Sequence, residues 1–190
     1  GLTASSSIDI SINGINDAPV AASYTFTAKE SGTAVSGMNI SDQLMSSVSD
    51  PDLDFVSVVG LSTGTGSFLP TITVPYGSAS VTTDGSFHFH LDQNAANGLG
   101  IGTNFTFDIN YKVSDHHGGT DIDTVHIVIQ GANDAPTATS VSLSMTEDQA
   151  LLSGNLLASG SATDPDSGDS VHLVGVDGAE LTGAEVGGDE

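Results

Sequence analysis

The sequence predicts an all-β chain built from antiparallel β-sandwich units in tandem. Three observations carry this prediction. Short runs rich in Val, Ile, Thr, Phe and Tyr follow one another at close spacing, with alternating apolar and polar positions. No stretch holds a convincing 3.6-residue period. The sequence also resembles itself at a fixed offset, which is the mark of a repeat architecture.

The repeat is read from Asn16-Asp17-Ala18-Pro19, which recurs as Asn133-Asp134-Ala135-Pro136, 117 residues later. The residues before each copy also correspond, Ile8 to Gly14 against Val125 to Gly131, and both read as an alternating strand ending at glycine. Glu30 maps to Glu147 and Ser36-Gly37 to Ser153-Gly154 at the same offset, and Asp50-Pro51-Asp52 maps to Asp164-Pro165-Asp166 at 114. The organisation expected is therefore residues 1–16 as the last strand of one unit, 17–133 as a complete unit, and 134–190 as the first part of the next. That last part ends in Gly-rich acidic sequence without period, from Gly183 to Glu190, and is expected to fray.

Within the complete unit the expected strands are Ala22–Ala28, Phe55–Leu61, Pro70–Tyr76, Ala79–Thr83, Ser86–Leu91, Asn104–Ser114 and Ile122–Gln130. Asp84-Gly85 separates two of them and predicts a tight hairpin, since primed turns need positive φ. The weak helical candidate Asp92–Leu99 reads as a turn or a single helical turn, given its Asn, Ala and Gly content.

Composition bounds the function. The 190 residues carry 2 Lys+Arg against 24 Asp+Glu, a net charge of −22. This sign excludes nucleic acid and anionic membrane as electrostatic partners. No apolar run reaches the roughly 20 residues of a spanning helix, and no basic-then-apolar opening reads as a signal peptide. The absence of cysteine removes disulfides, thiol nucleophiles and Cys-ligated zinc. Like charges at this density destabilise a compact body unless cations neutralise them. Hard divalent ions prefer the carboxylate and carbonyl oxygens that this chain has in excess.

Asp50-Pro51-Asp52 has the local chemistry for such an ion. Proline fixes its own φ and pushes the residue before it into an extended conformation, which holds the carboxylates at i and i+2 on one side of a loop. Asp54 extends the alternation. The segment is not an EF-hand, because Phe55 stands where that loop needs glycine and its twelfth place holds no Glu. Recurrence as Asp164-Pro165-Asp166 favours a site over a solvated turn.

The run Val81-Thr82-Thr83-Asp84-Gly85-Ser86-Phe87-His88-Phe89-His90-Leu91-Asp92 resembles the bacterial VCBS repeat. Phe105 to Asp115, Gly118-Gly119-Thr120 and the closing Gly131-Ala132-Asn133-Asp134-Ala135-Pro136 continue the likeness, which spans roughly residues 7–170. This resemblance implies an immunoglobulin- or cadherin-like sandwich in a giant RTX-type surface adhesin, exported by type I secretion and acting in cell adhesion and biofilm. Similarity to cadherin-type repeats further implies Ca²⁺ at the unit junctions. The upper junction would use Asn16, Asp17, Asp50, Asp52 and Asp115. The lower would use Glu30, Asp92, Asn133, Asp134, Asp164 and Asp166. Leu91-Asp92 continues as Gln93-Asn94, where cadherins have Arg-Glu.

Other motifs have plainer readings. His88 and His90 share one strand face without an obvious third metal ligand, and His116-His117 sits in the Asp115–Gly119 loop. Gly60-Leu61-Ser62-Thr63-Gly64 matches a nucleophile elbow by chance, since no helix can follow it. Asn39-Ile40-Ser41 and Asn104-Phe105-Thr106 fit the glycosylation pattern, which a bacterial adhesin would not use.

The expected function is a calcium-stiffened spacer of a surface adhesin, monomeric, outside the cell, with neighbouring repeats of its own chain as partners. The alternative is a module that binds a carbohydrate or peptide on a surface glycan or protein. Tyr76, at the Pro75-Tyr76-Gly77 turn, is the aromatic best placed to serve it. Enzymatic activity is not expected, because no nucleophile–base or metal–water constellation stands at usable spacing.

Overall fold

The computed structural model describes residues 1–31, 38–64, 66–142, 144, 146–148, 155–157, 161–176 and 179–180. Ser36-Gly37, Ser153-Gly154 and the Gly183–Glu190 tail lie outside them. Two four-stranded sheets form a sandwich. One contains β1 (Tyr24–Lys29), β3 (Ser57–Ser62), β7 (Asn104–Ser114) and β8 (Thr120–Gln130), in the order β1-β8-β7-β3. The other contains β2 (Met38–Gln43), β4 (Thr71–Val74), β5 (Gly77–Val81) and β6 (Ser86–Leu91), in the order β2-β6-β5-β4.

Alternation along the strands creates the core. Ile109, Tyr111 and Val113 of β7 face Val125, Ile127 and Ile129 of β8 inward, while the residues between them lie on the outer face. Phe87, Phe89 and Leu91 of β6 close the core from the opposite sheet. Phe26 of β1 stacks on Phe87 at 5.3 Å, which ties the two sheets together.

The sandwich departs from the sequence reading in four places. β1 pairs with β8 in parallel, from Tyr24 beside Val125 to Lys29 beside Gln130. A period of two fixes which face a residue takes but not the direction of its neighbour. β2 was not expected, and it pairs with β6 from Met38 beside Leu91 to Gln43 beside Ser86. The Asp84-Gly85 hairpin forms, but not as a primed turn. Gly85 N–H donates to Thr82 O and only Gly85 has positive φ, so the connection is a type I turn closed by a left-handed glycine. The segment Ile8–Gly14 keeps its alternation but has no partner strand among the described residues, and Ile8, Ile10 and Ile12 stand exposed.

Tyr111 fixes the entry to the sandwich. Its hydroxyl donates to Ala22 O at 2.5 Å and accepts from Ala22 N–H at 3.0 Å, so both backbone groups of one residue are satisfied by one side chain. Burial pushes its phenol up to about 12. Beyond the sandwich, β9 (Thr137–Ala138) pairs antiparallel with β10 (Ala162–Thr163).

Two outcomes follow from this packing. Phe89→Ala should cost about 3–5 kcal/mol in urea denaturation, because its ring is fully buried between the sheets. Tyr111→Phe should cost about 1–3 kcal/mol by leaving Ala22 unsatisfied. A phenol whose folded pKa is raised stabilises the fold below its ordinary value of 10.0, and that stability is lost as pH rises towards 12. The variant should therefore also lose part of the alkaline fall in stability.

Candidate metal centre

Strand geometry gathers the acids at the two ends of the sandwich. Ser57, Ser114 and Thr120 meet at one end, and Lys29, Asn104 and Gln130 at the other. Asn16, Asp17, Asp50, Asp52 and Asp115 lie at the first, and Glu30, Asn133, Asp134, Asp164 and Asp166 at the second.

At the first end, Asp50 organises its loop. Its Oδ1 accepts from Asp52 N–H at 2.9 Å and Asp54 N–H at 3.3 Å, the tight wrap that the proline between the acids prepares. The carboxylates of Asp50, Asp52 and Asp54 come close enough to share one ion. Asp17 N–H donates to Asp52 Oδ2 at 2.7 Å, which draws the linker onto the loop. Asn16 Nδ2 donates to Asp17 O and to Asp115 Oδ2, at 3.1 and 2.8 Å. The Asn16 amide, with the backbone N–H groups of His117 and Gly119, holds the Asp115 carboxyl below its usual range. His117 Nδ1 lies 2.9 Å from Asp54 Oδ2. Leu53 and His116, on the two adjoining loops, both take left-handed backbone conformations that side chains disfavour.

The second end repeats the pattern. Asn133 Nδ2 donates to Asp134 O at 2.7 Å, Asp134 N–H to Asp166 Oδ2 at 2.8 Å, and Asp166 N–H to Asp164 Oδ1 at 2.9 Å. These match the bonds of Asn16, Asp17, Asp52 and Asp50 one for one. Glu30 arrives from the end of β1, its Oε2 accepting from Ala132 N–H at 3.2 Å.

Here the electrostatics are unbalanced. Glu30, Asp134 and Asp166 are 2 %, 5 % and 3 % exposed. One oxygen of each, Glu30 Oε1, Asp134 Oδ2 and Asp166 Oδ1, is buried without any hydrogen-bond partner. Burial raises the Glu30 carboxyl above its ordinary value, and the charges of Asp134 and Asp166 add to this against the Ala132 amide. Burial and then the Asp166 and Asp164 charges raise Asp134. The only two cationic side chains, Lys29 and Lys112, pair with none of them. An uncompensated buried carboxylate costs several kcal/mol, and a hard cation with an oxygen shell is the group that removes such a cost. Asp50 Oδ2 is orphaned in the same way at the first end. The residues present therefore fit Ca²⁺.

Other predicted residues are placed differently. Asp92 is exposed and caps the short helix α1 (Gln93–Ala96), its Oδ1 accepting from Asn94 and Ala95 N–H. No hydrogen bond ties it to the Glu30 cluster among the described residues. Its neighbour Gln93 is the buried one, and its Oε1 accepts from Ser31 N–H beside Glu30. Tyr76 is half-buried, its ring meeting Phe105 edge-on at 4.7 Å, so it serves the packing rather than an open platform. The sequence reading also left out Asp169, whose carboxylate gathers with those of Asp164 and Asp166.

Residues 16–131, more than half of the chain, match the family model of the bacterial cadherin-like domain, and the chain belongs to that family. No curated protein matches it at a significant level. Among solved structures it is similar to a nucleoside hydrolase-related hypothetical protein from Saccharophagus degradans that is associated with carbohydrate metabolism. That likeness has 20% identity over 61% of this chain and 26% of that one, with a TM-score of 0.36. It is similar also to protocadherin gamma C5 EC1-3, with 18% identity over 80% of this chain and 46% of that one and a TM-score of 0.37. The chain thus spans under half the length of either structure. Family membership makes it an adhesion- or extender-type module of extracellular or surface proteins, in a family that is in general non-enzymatic and typically binds Ca²⁺. No helix among the described residues is long and apolar enough to cross a membrane.

A carboxyl whose folded pKa is raised stabilises the fold below its unfolded value and loses that contribution as pH rises. In EDTA the melting temperature should therefore fall as pH rises through and above the carboxylate range. Glu30→Gln should flatten that fall, and a scan of melting temperature against pH for both chains checks it.

Proposed function

We propose that this bacterial cadherin-like chain is a calcium-stiffened extender of a large RTX-type adhesin, exported by type I secretion and displayed on the bacterial surface in cell adhesion and biofilm. Residues 17–133 form one repeat, 1–16 close the repeat before it, and 134–190 open the next. The observation that carries the reading is the set of orphaned buried oxygens on Glu30, Asp134 and Asp166, where the end of one repeat meets the acid loop of another.

Without the ion, three carboxylates share a buried seam and repel one another. With it, both sides of the seam enter one coordination shell and the junction stiffens. Glu30, Asp134, Asp164 and Asp166, with the Asn133 amide oxygen, backbone carbonyls and water, supply the six to eight oxygens that Ca²⁺ takes. At the other junction the same parts come from Asn16, Asp17, Asp50, Asp52 and Asp115, joined by Asp54. Mg²⁺ demands near-ideal octahedral geometry and gives up its water reluctantly, so a crowded carboxylate shell favours Ca²⁺. Extracellular sites of this class bind at about 10⁻⁴–10⁻³ M, above cytosolic calcium, which keeps the junctions open before export.

Millimolar Ca²⁺ should raise the melting temperature well above that in EDTA, and equimolar Mg²⁺ should not. A free concentration of about 10 times Kd corresponds to about 1.4 kcal/mol per site. Asp166→Asn should remove most of the response from the second junction, and Asp50→Ala with Asp52→Ala that from the first. An undiminished calcium response in the combined variant would overturn the reading.

A further inference from the structure

The loop between α1 and β7, Asn97 to Thr103, belongs to no acid cluster, yet it stands against the Asp164–Ser167 loop. Its own sandwich holds it firmly. Leu99 N–H donates to Ala96 O at 2.9 Å, and Thr103 closes the loop on Gly100 O through its N–H at 3.1 Å and its hydroxyl at 2.6 Å. Gly131 N–H donates to Thr103 O at 3.0 Å, and Gly131 lies so near that a Cβ there would stand 2.0 Å from Leu99 O. The loop is thus a fixed feature of the end of the sandwich.

What it presents outward is neutral backbone. Ser167 N–H donates across the seam to Gly98 O at 3.2 Å. A Cβ on Gly98 would lie 3.5 Å from Pro165 O, and one on Gly100 would lie 3.5 Å from Asp166 Cβ. Both glycines have ordinary φ, so what they provide is room rather than an unusual backbone. A methyl group fits at either position, whereas a branched side chain meets the neighbouring loop.

We infer that this glycine loop is a metal-independent latch between successive repeats. The Gly98 carbonyl and the Gly98 and Gly100 surfaces seat the Asp164–Ser167 loop and set the orientation of the seam, so that Asp134 and Asp166 are brought to Glu30 before an ion arrives. The inference rests on reading residues 134 onward as the next repeat but not on calcium. The bond that crosses the seam, from Ser167 N–H to Gly98 O, joins two neutral backbone groups, while Gly100 lies against the Asp166 carboxylate. A hydrogen bond between neutral groups depends less on the repulsion that the carboxylates create than an ion pair would.

Amide exchange followed by NMR on the full chain, in EDTA and in millimolar Ca²⁺, tests it. In EDTA the Ser167 amide should exchange at least about tenfold more slowly than an unstructured amide. Gly98→Val should return Ser167 to the unstructured rate while Thr103 and Gly131 remain protected, and Gly98→Ala should leave all three unchanged. A second measurement does not depend on that variant folding. The chain has no cysteine, so spin labels at Thr106→Cys and Ser170→Cys report the seam directly, and their mean separation should be the same in EDTA and Ca²⁺. If Ser167 is unprotected in EDTA and slowed only by Ca²⁺, or if the labels move together only with Ca²⁺, the ion alone closes the seam. The latch is then overturned while the calcium reading stands. Protection in EDTA with no response to Ca²⁺ supports the latch and overturns the calcium reading.

Discussion

Negative charge held out of water without a partner is the constraint on which the rest of this chain depends. A sandwich core of Phe, Ile and Val would stand with almost any surface charge, but Glu30, Asp134 and Asp166 are inside a seam, not on a surface. When ionised, they lack the other half of an ionic interaction. A chain with two lysines and no arginine cannot supply the other half from its own side chains. Neutralisation, by a proton or by a cation, would have to come from solution, which would make stability depend on the surrounding medium.

The sandwich serves that seam through topology. Because β1 runs parallel to β8, the ends of both strands emerge side by side, and Glu30 reaches the Ala132 amide just past the end of β8. An antiparallel first strand would have sent Glu30 to the opposite end. Tyr111 anchors Ala22 ahead of β1 and so fixes where that strand begins. At the opposite end, β7 and β8 are joined by the Asp115 loop, whose carboxylate is already satisfied by amides and by Asn16. The two ends therefore differ in degree: the first has one orphaned carboxylate oxygen, on Asp50, beside an Asp115 carboxylate satisfied by amides, and the second has three.

Much of this was legible in the residues. β6 and β7 follow from alternation alone, and the acid loops follow from the recurrence of Asp-Pro-Asp behind Asn-Asp-Ala-Pro. What escaped had physical causes. Strand direction leaves no trace in a period of two, so the parallel pairing of β1 was invisible. Met38–Gln43 alternates weakly and offers little β-branched content. Asp92 enters the lower ligand set through the likeness to cadherin-type repeats, and the local chemistry of an acid directly before a short helical segment also makes it a cap, which is the role its hydrogen bonds show. The Gly98-Leu99-Gly100 spacing carries no motif. Its meaning appears only when another backbone is seen to rest on it.

The three hydrogen bonds of linker and acid loop, one of which joins the two, take the same form at both ends of the sandwich and have a geometric consequence. In the proposed array, joints of this shared form would relate successive repeats by nearly the same rotation and translation, and repeating that operation generates an open screw instead of a closed ring unless the rotation happens to close. Each repeat of such an array would touch only its neighbours. The pitch and handedness of such a rod are therefore written into one joint a few ångströms across, and an angular error of a few degrees there is multiplied by the number of joints. In the proposed array, reach and straightness would thus depend on a handful of small residues at the joint, more than on the cores between joints.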